Sequence, residues 1–150
     1  MTELTIVVAE GATAADVGVI EEGLVVHGEA LSEPRRFTRL AVLARDAAGR
    51  LVGGLTGATV WGWLEIELLW VAEEHRGRAL GGRLMAAAEE EAAARGCRHA
   101  RVDTFDFQAP RFYARLGYEE YAVLENFPSG HTRHFLKKDL AARPVRARGC

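Results

Sequence analysis

Cysteine is scarce. The chain has two, Cys97 and Cys150, and no C-x-x-C. A disulfide framework and a zinc ribbon are thereby excluded, and the cytosol is the expected compartment. Serine is as rare: Ser32 and Ser129 are the only two, and neither sits in G-x-S-x-G, so a serine-hydrolase elbow is absent. No G-x-x-x-x-G-K-[ST] occurs, which removes the P-loop, and no G-x-G-x-x-G follows a first strand, which removes the dinucleotide fingerprint. No apolar run reaches the ~18 residues of a membrane span. The opening stretch lacks a basic n-region and meets Glu3 and Glu10 early, so it does not read as a signal peptide. A charge excess is lacking too: the net charge is -2 and the pI about 6.2, so no basic nucleic-acid footprint is expected.

Against these absences stand 49% hydrophobic and 27% charged residues, ordinary proportions for a soluble globular protein. At 150 residues one domain is the default. Such a domain buries roughly 68–70% of its unfolded surface, so neither a disulfide nor a metal is needed to hold it. Residues 1–140 read as that domain. Residues 141–150 carry Arg143, Arg146 and Arg148 and no acid, and read as a disordered basic tail.

Leu4 to Val8 is a short apolar run and reads as a first strand. Thr13 is an N-cap candidate for a helical stretch to Leu31, where Gly18, Gly23 and Gly28 suggest one broken helix or two short ones. Strands follow at Arg39 to Arg45, Leu51 to Trp61 and Trp63 to Val71. The second is rich in glycine (Gly53, Gly54, Gly57), which often marks close backbone approach. Ala79 to Arg95 is the clearest helix, with Leu80, Leu84, Ala88 and Ala92 every four residues and Gly96 as its stop. A strand at His99 to Phe105, a short helix at Gln108 to Leu116 and strands at Tyr118 to Glu125 and His131 to Lys137 complete the chain. This order predicts a mixed α+β fold. Its central sheet is mixed, mostly antiparallel, of six to seven strands, with helices on both faces.

The informative stretch runs from Leu69 to Leu84. A strand enters a tight turn built of Arg76, Gly77, Arg78, Ala79, Gly81 and Gly82, and the turn opens directly into the long helix. Unsatisfied amides at a helix N-terminus, the helix dipole and small side chains together make an anion cradle. On spacing alone, an exposed loop with solvated arginines is an equal alternative.

Arg76-Gly77-Arg78-Ala79-Leu80-Gly81 resembles the R-x-x-G/A-x-G acetyl-CoA motif of the GNAT superfamily of N-acetyltransferases. Ala79 stands where that motif more often has Gly. Phe112-Tyr113-Ala114-Arg115-Leu116-Gly117-Tyr118 resembles the family's second signature, F/L-Y-x-x-x-G-F/Y, and the spacing between the two also matches. The likeness covers roughly residues 38–137. It implies that backbone amides from Arg76 to Gly82 hold the CoA pyrophosphate. It implies that the strands ending at Val71 and beginning at His99 splay, and that the pantetheine arm pairs with backbone at Leu69, Trp70 and Val71. One of those amides would polarise the thioester carbonyl. Where the family often has Asn for the pantetheine, this chain has Asp106, and Gln108 is the expected replacement.

The resemblance further makes Tyr113 the general acid for the departing thiolate. Glu65 is the first candidate for the base and Glu67 the second. Strand periodicity puts both acids on one face with Leu69 and Val71, unless a bulge intervenes. The same carboxylates would otherwise bind a cationic substrate at the rim. Trp61, Trp63 and Trp70 are candidates for an aromatic wall around the acceptor. His131-x-x-His134 lacks further ligands at metal spacing, so no metal is expected, and Glu89-Glu90-Glu91 reads as a solvated helix face. The expectation is acetyl transfer from acetyl-CoA to a primary amine of a small molecule by direct attack. A protein lysine or N-terminus as acceptor, and a non-catalytic acyl-CoA-binding module, are the alternatives. Nucleic acid and membrane are not expected partners, and a homodimer is allowed for.

Overall fold

Thr13 caps the first helix, α1 (Ala14–Glu29), in the computed structural model, which describes residues 3–140. The Thr13 hydroxyl accepts from the Asp16 amide at 3.1 Å, and the Asp16 carboxylate accepts from the Thr13 amide at 3.2 Å, a reciprocal capping box. Gly18, Gly23 and Gly28 do not break the helix, contrary to expectation. Glycine lowers helix propensity but keeps its N–H in the ladder, unlike proline. The expected strand at residues 4–8 is also not found, because no other strand pairs with it. The chain divides into two compact units, Met1–Arg35 and Arg36–Cys150, and α1 belongs to the first. The basic tail lies outside the described residues.

The second unit is built on one sheet. Its strands are β1 (Thr38–Arg45), β2 (Leu51–Val60), β3 (Trp63–Val71), β4 (His99–Phe105), β5 (Glu119–Glu125) and β6 (Thr132–Asp139), in the order β1-β2-β3-β4-β6-β5. Only the β3–β4 pair is parallel. This is the mixed, mostly antiparallel sheet that the element order predicts, with six strands. Two helices, α2 (Leu80–Ala94) and α3 (Pro110–Arg115), draw on a common core with it. Leu84, Met85, Ala88 and Ala92 of α2 pack with Leu55, Leu64, Ala100, Val102 and Leu136 of the strands and with Tyr113 of α3.

Glu89 corrects the expectation of a solvated acidic run. Four residues after Met85, it falls on the buried stripe and is 2% exposed. Its carboxylate accepts from Lys138 Nζ at 2.6 and 3.1 Å, and that ammonium lies 5.5 Å from the Tyr118 ring centroid. A buried acid is tolerated where a cation meets it.

The β2–β3 register shifts at one point. Thr56 faces Leu68 and Gly57 faces Ile66, so Glu67 is an extra residue with no partner on β2. This is a β-bulge. It turns Leu69 and Val71 to the core side occupied by Leu64 and Ile66, and so separates them from Glu65. A strict two-residue period would have kept them with the acids. Glycine at position 57 is what allows the bulge: a Cβ there would stand 2.1 Å from the Glu65 carbonyl oxygen. Gly57→Ala is therefore expected to destabilise the fold well beyond the ~1 kcal/mol centre of point substitutions. Urea unfolding checks this, and an unchanged midpoint would contradict it.

Beyond the bulge the sheet opens. β3 and β4 pair only at Trp63 with His99, Leu64 with Ala100 and Glu65 with Arg101. From Ile66 onward β3 has no partner on β4, and the two strands splay.

Candidate active site

After β3 the chain makes a single 3-10 turn (Glu73–His75), then climbs to α2 through two left-handed residues, Gly77 at φ 73° and Ala79 at φ 59°. Ala79 is the N-cap of α2 and has no side-chain capping bond. Among the described residues the amides of residues 77–82 donate to no backbone carbonyl outside regular structure, and α2 makes its first bond from the Arg83 amide to the Ala79 carbonyl at 3.1 Å. The first turn of α2 carries no acid, although acids are favoured there. Its second and third residues are instead Gly81 and Gly82, each ~1 kcal/mol less favourable than Ala in a helix interior. This terminus is uncapped, small and flanked by the exposed Arg78 and Arg83. It suits an external anion better than a bare helix end.

The individual side chains refine the expectation. Arg76 turns back, its Nε donating to the Val71 carbonyl at 3.0 Å, and so ties the turn to the strand end. The Val71 carbonyl is thereby engaged, which leaves Leu69 and Trp70 as the nearer backbone for an extended ligand. Leu80 points inward: its Cδ2 lies 3.3 Å from the position of a Gly53 Cβ. Gly81 faces Phe112, whose Cζ would be 3.2 Å from an added Cβ, so its smallness serves α2–α3 packing. Gly82 has only Leu116 Cδ2, at 3.9 Å. Gln108 is partly occupied: its Oε1 accepts from the Phe105 amide and the Thr104 hydroxyl, both at 3.3 Å, so only its amide nitrogen is left to donate to a ligand. Asp106 pairs with His131 Nδ1 at 2.9 Å, and His134 pairs with Glu120 at 2.5 Å. Those carboxylates account for both histidines.

Tyr113 lies on α3, 6% exposed, with its ring edge-on to Phe112 at 5.1 Å and to Tyr118 at 5.9 Å. Burial, with a smaller contribution from the Asp103 carboxylate, pushes its phenol up to about 12. It therefore holds its proton throughout the physiological range. Asp103 sits on the part of β4 that has left β3, so Tyr113 is electrostatically coupled to the wall of the splay.

The two acids of β3 part company. Glu65 is the last residue of β3 still paired with β4, at the apex of the splay, and its Oε1 accepts from Arg101 Nε at 3.0 Å. It lines a cleft of about 400 Å³ with Val60, Trp61, Trp63, Arg101, Tyr121 and Lys137. Glu67, the bulged residue, is exposed and outside that lining. Trp70 is 51% exposed and also stands outside it. Trp61 and Gly62 form the two-residue β2–β3 turn, at φ 47° and 75°. Asn-Gly is the favoured pair in such a turn, and a bulky residue at positive φ is strained. Trp61 lines the cleft from this turn, and its strained backbone persists only because the surrounding structure holds it. Arg101, Tyr121 and Lys137 were not singled out by sequence reading. They reach the cleft from β4, β5 and β6: register sets Arg101 opposite Lys137, and Tyr121 is the unpaired residue at the β5–β6 register shift.

Comparison with known proteins agrees with this geometry. A family model described as the acetyltransferase (GNAT) family matches residues 18–118. The chain is 45% identical over 109 residues to a blasticidin-S acetyltransferase of Streptomyces morookaense, covering 72% of this chain and 80% of that protein. It is 34% identical over 135 residues to acetyltransferase Atu2258 of Agrobacterium fabrum, covering 90% of this chain and 98% of the relative. The crystal structure of an acetyltransferase from Bacillus cereus superposes with a TM-score of 0.79 at 31% identity, over 87% of this chain and 96% of the other.

Proposed function

The chain belongs to the acetyltransferase (GNAT) family, and from that premise we propose that it moves the acetyl group of acetyl-CoA onto a primary amine of a small molecule. The observation that carries the donor is the uncapped start of α2 beside an opened strand pair. The amides of residues 77–82 receive the pyrophosphate. The free edge of β3 at Leu69 and Trp70 receives the pantetheine as an added strand would be received. An amide on that edge polarises the thioester carbonyl.

The acceptor enters the cleft at Glu65. An amine of pKa ~10 arrives protonated and must lose a proton before its lone pair can attack. The Glu65 carboxylate takes that proton, directly or through water. Arg101 holds one of its oxygens and so fixes the orientation of the other. The amine nitrogen bonds to the acetyl carbon, the C–S bond breaks, the nitrogen's second proton passes to the departing sulfur to give the thiol, and Tyr113 donates a hydrogen bond to that sulfur as charge collects there. A small acceptor is favoured over a protein because the cleft, at about 400 Å³, lies within the range of small-ligand pockets and has a tryptophan wall. The similarity to an enzyme acting on blasticidin S points the same way, toward an antibiotic-type amine.

The pH dependence of acetyl transfer tests the base. The wild-type rate should rise with pH toward a plateau. Glu65→Gln should lose most activity near neutrality and recover at alkaline pH, where free amine is plentiful. Glu67→Gln should follow the wild-type profile. The reverse ordering would move the base to the bulge, and wild-type profiles from both variants would leave deprotonation to solvent.

A further inference from the structure

We infer that the acceptor carries a carboxylate besides its reacting amine, and that Lys137 receives it. The inference deepens the proposed function and rests on it. Glu65, Arg101 and Lys137 stand in one register row across three neighbouring strands: Glu65 pairs with Arg101 across β3–β4, and Arg101 pairs with Lys137 across β4–β6. All three line the same cleft. Arg101 is engaged by Glu65 at 3.0 Å. Lys137 forms no ion pair among the described residues, although Glu119 is its register neighbour on β5. The cleft therefore holds one acid and two bases, and its surplus charge is positive at the end away from Glu65.

That polarity does not fit an acceptor that is only a cation. A simple polyamine would meet repulsion at Lys137 once its first ammonium reached Glu65. A zwitterion fits both ends: the ammonium beside the free oxygen of Glu65 and the carboxylate beside Lys137, past the Arg101 that Glu65 already engages, with Trp61, Trp63 and Tyr121 supplying aromatic lining to the same cleft. Two strand spacings separate Glu65 from Lys137, roughly 9–10 Å between backbones. A chain of several methylenes between the two charges matches that spacing. Paired charges at both ends also fix the direction in which the acceptor lies, which a single salt bridge does not.

The test is a matched pair of acceptors, 6-aminohexanoate and 6-aminohexanamide, assayed by thiol release from acetyl-CoA. Wild type should prefer the carboxylate by about tenfold or more in kcat/KM, with the difference in KM, as expected of a charge-assisted contact made equally in ground and transition states. Lys137→Gln should bring the ratio of the two close to one, and Lys137→Arg should restore the preference. Equal use of both acceptors by wild type overturns the carboxylate site while leaving amine acetylation intact. A preference that survives in Lys137→Gln, or that Lys137→Arg fails to restore, removes Lys137 from it. Absence of thiol release with either amine overturns the acetyl-transfer reading together with the inference.

Discussion

Gly82→Glu should weaken acetyl-CoA binding by roughly 30-fold or more while leaving the fold as stable as before or more so, the loss being about 2 kcal/mol. The two effects separate because they arise from one charge acting on different partners. Position 82 is in the first turn of α2, which lacks an acid and has no side-chain cap. A glutamate there suits the helix dipole and can accept the amide at Ala79 in the manner of a capping box. It also replaces a glycine in a helix. An added Cβ meets only Leu116 Cδ2 at 3.9 Å, ordinary contact. The same carboxylate would stand where a pyrophosphate must sit. Gly81→Glu is the weaker experiment, since its Cβ would press on the Phe112 ring at 3.2 Å and confound packing with charge. Calorimetric titration with acetyl-CoA, beside thermal unfolding, decides the matter. Unchanged affinity in a folded Gly82→Glu protein would place the donor elsewhere.

Tyr113→Phe should lower kcat by ~10²–10³-fold with acetyl-CoA affinity nearly kept, the cost of removing one preorganised donor from a developing charge. The substitution retains the ring that packs on Phe112 and Tyr118 and removes only the hydroxyl. The phenol, pushed up to about 12, is fully protonated at neutral pH. A free thiol has a pKa near ~8.5, so complete proton transfer from this phenol to sulfur is uphill. Tyr113 then acts by hydrogen bonding to the developing thiolate, and no acidic or neutral limb of the pH–rate profile should belong to it. The shift also has a sign in stability. The folded-state value lies above the ordinary 10, so the buried neutral phenol favours the fold fully below pH 10, and that contribution is lost as pH rises toward 12. Tyr113→Phe should remove that part of the alkaline loss. A kcat within about twofold of wild type would take Tyr113 out of the mechanism.

The parts of this molecule that local chemistry determines were legible without coordinates. The period-four apolar residues of α2, the Thr13 cap, the β3 and β4 boundaries and the small basic turn at residues 76–82 all follow from spacing and residue type. Gly57 illustrates the limit. Its strand reads as unusual, yet which of three glycines makes the close approach depends on the residue across the ladder, here the Glu65 carbonyl. The bulge at Glu67 then reverses the face of everything after it, so parity counted from Glu65 fails at Leu69 and Val71. Glu89 belongs to a run of three acids that looks solvated in sequence, and only Lys138, from a distant strand, makes its burial possible. Lys137 is silent in sequence for the same reason. A lysine on a strand gains meaning only when register sets it in line with Arg101 and Glu65. Conversely, residues 4–8 look like a strand because apolar pattern records propensity, and a strand also needs a partner.

The most direct test is a mass balance. Wild-type protein, acetyl-CoA and an excess of a primary amine such as 6-aminohexanoate are incubated, and free thiol and N-acetylated amine are quantified together. One acetylated amine for each thiol, with thiol release dependent on the amine, is the predicted result. Thiol released at the same rate without amine, or donor bound with neither product formed, would contradict acetyl transfer to an amine at this site.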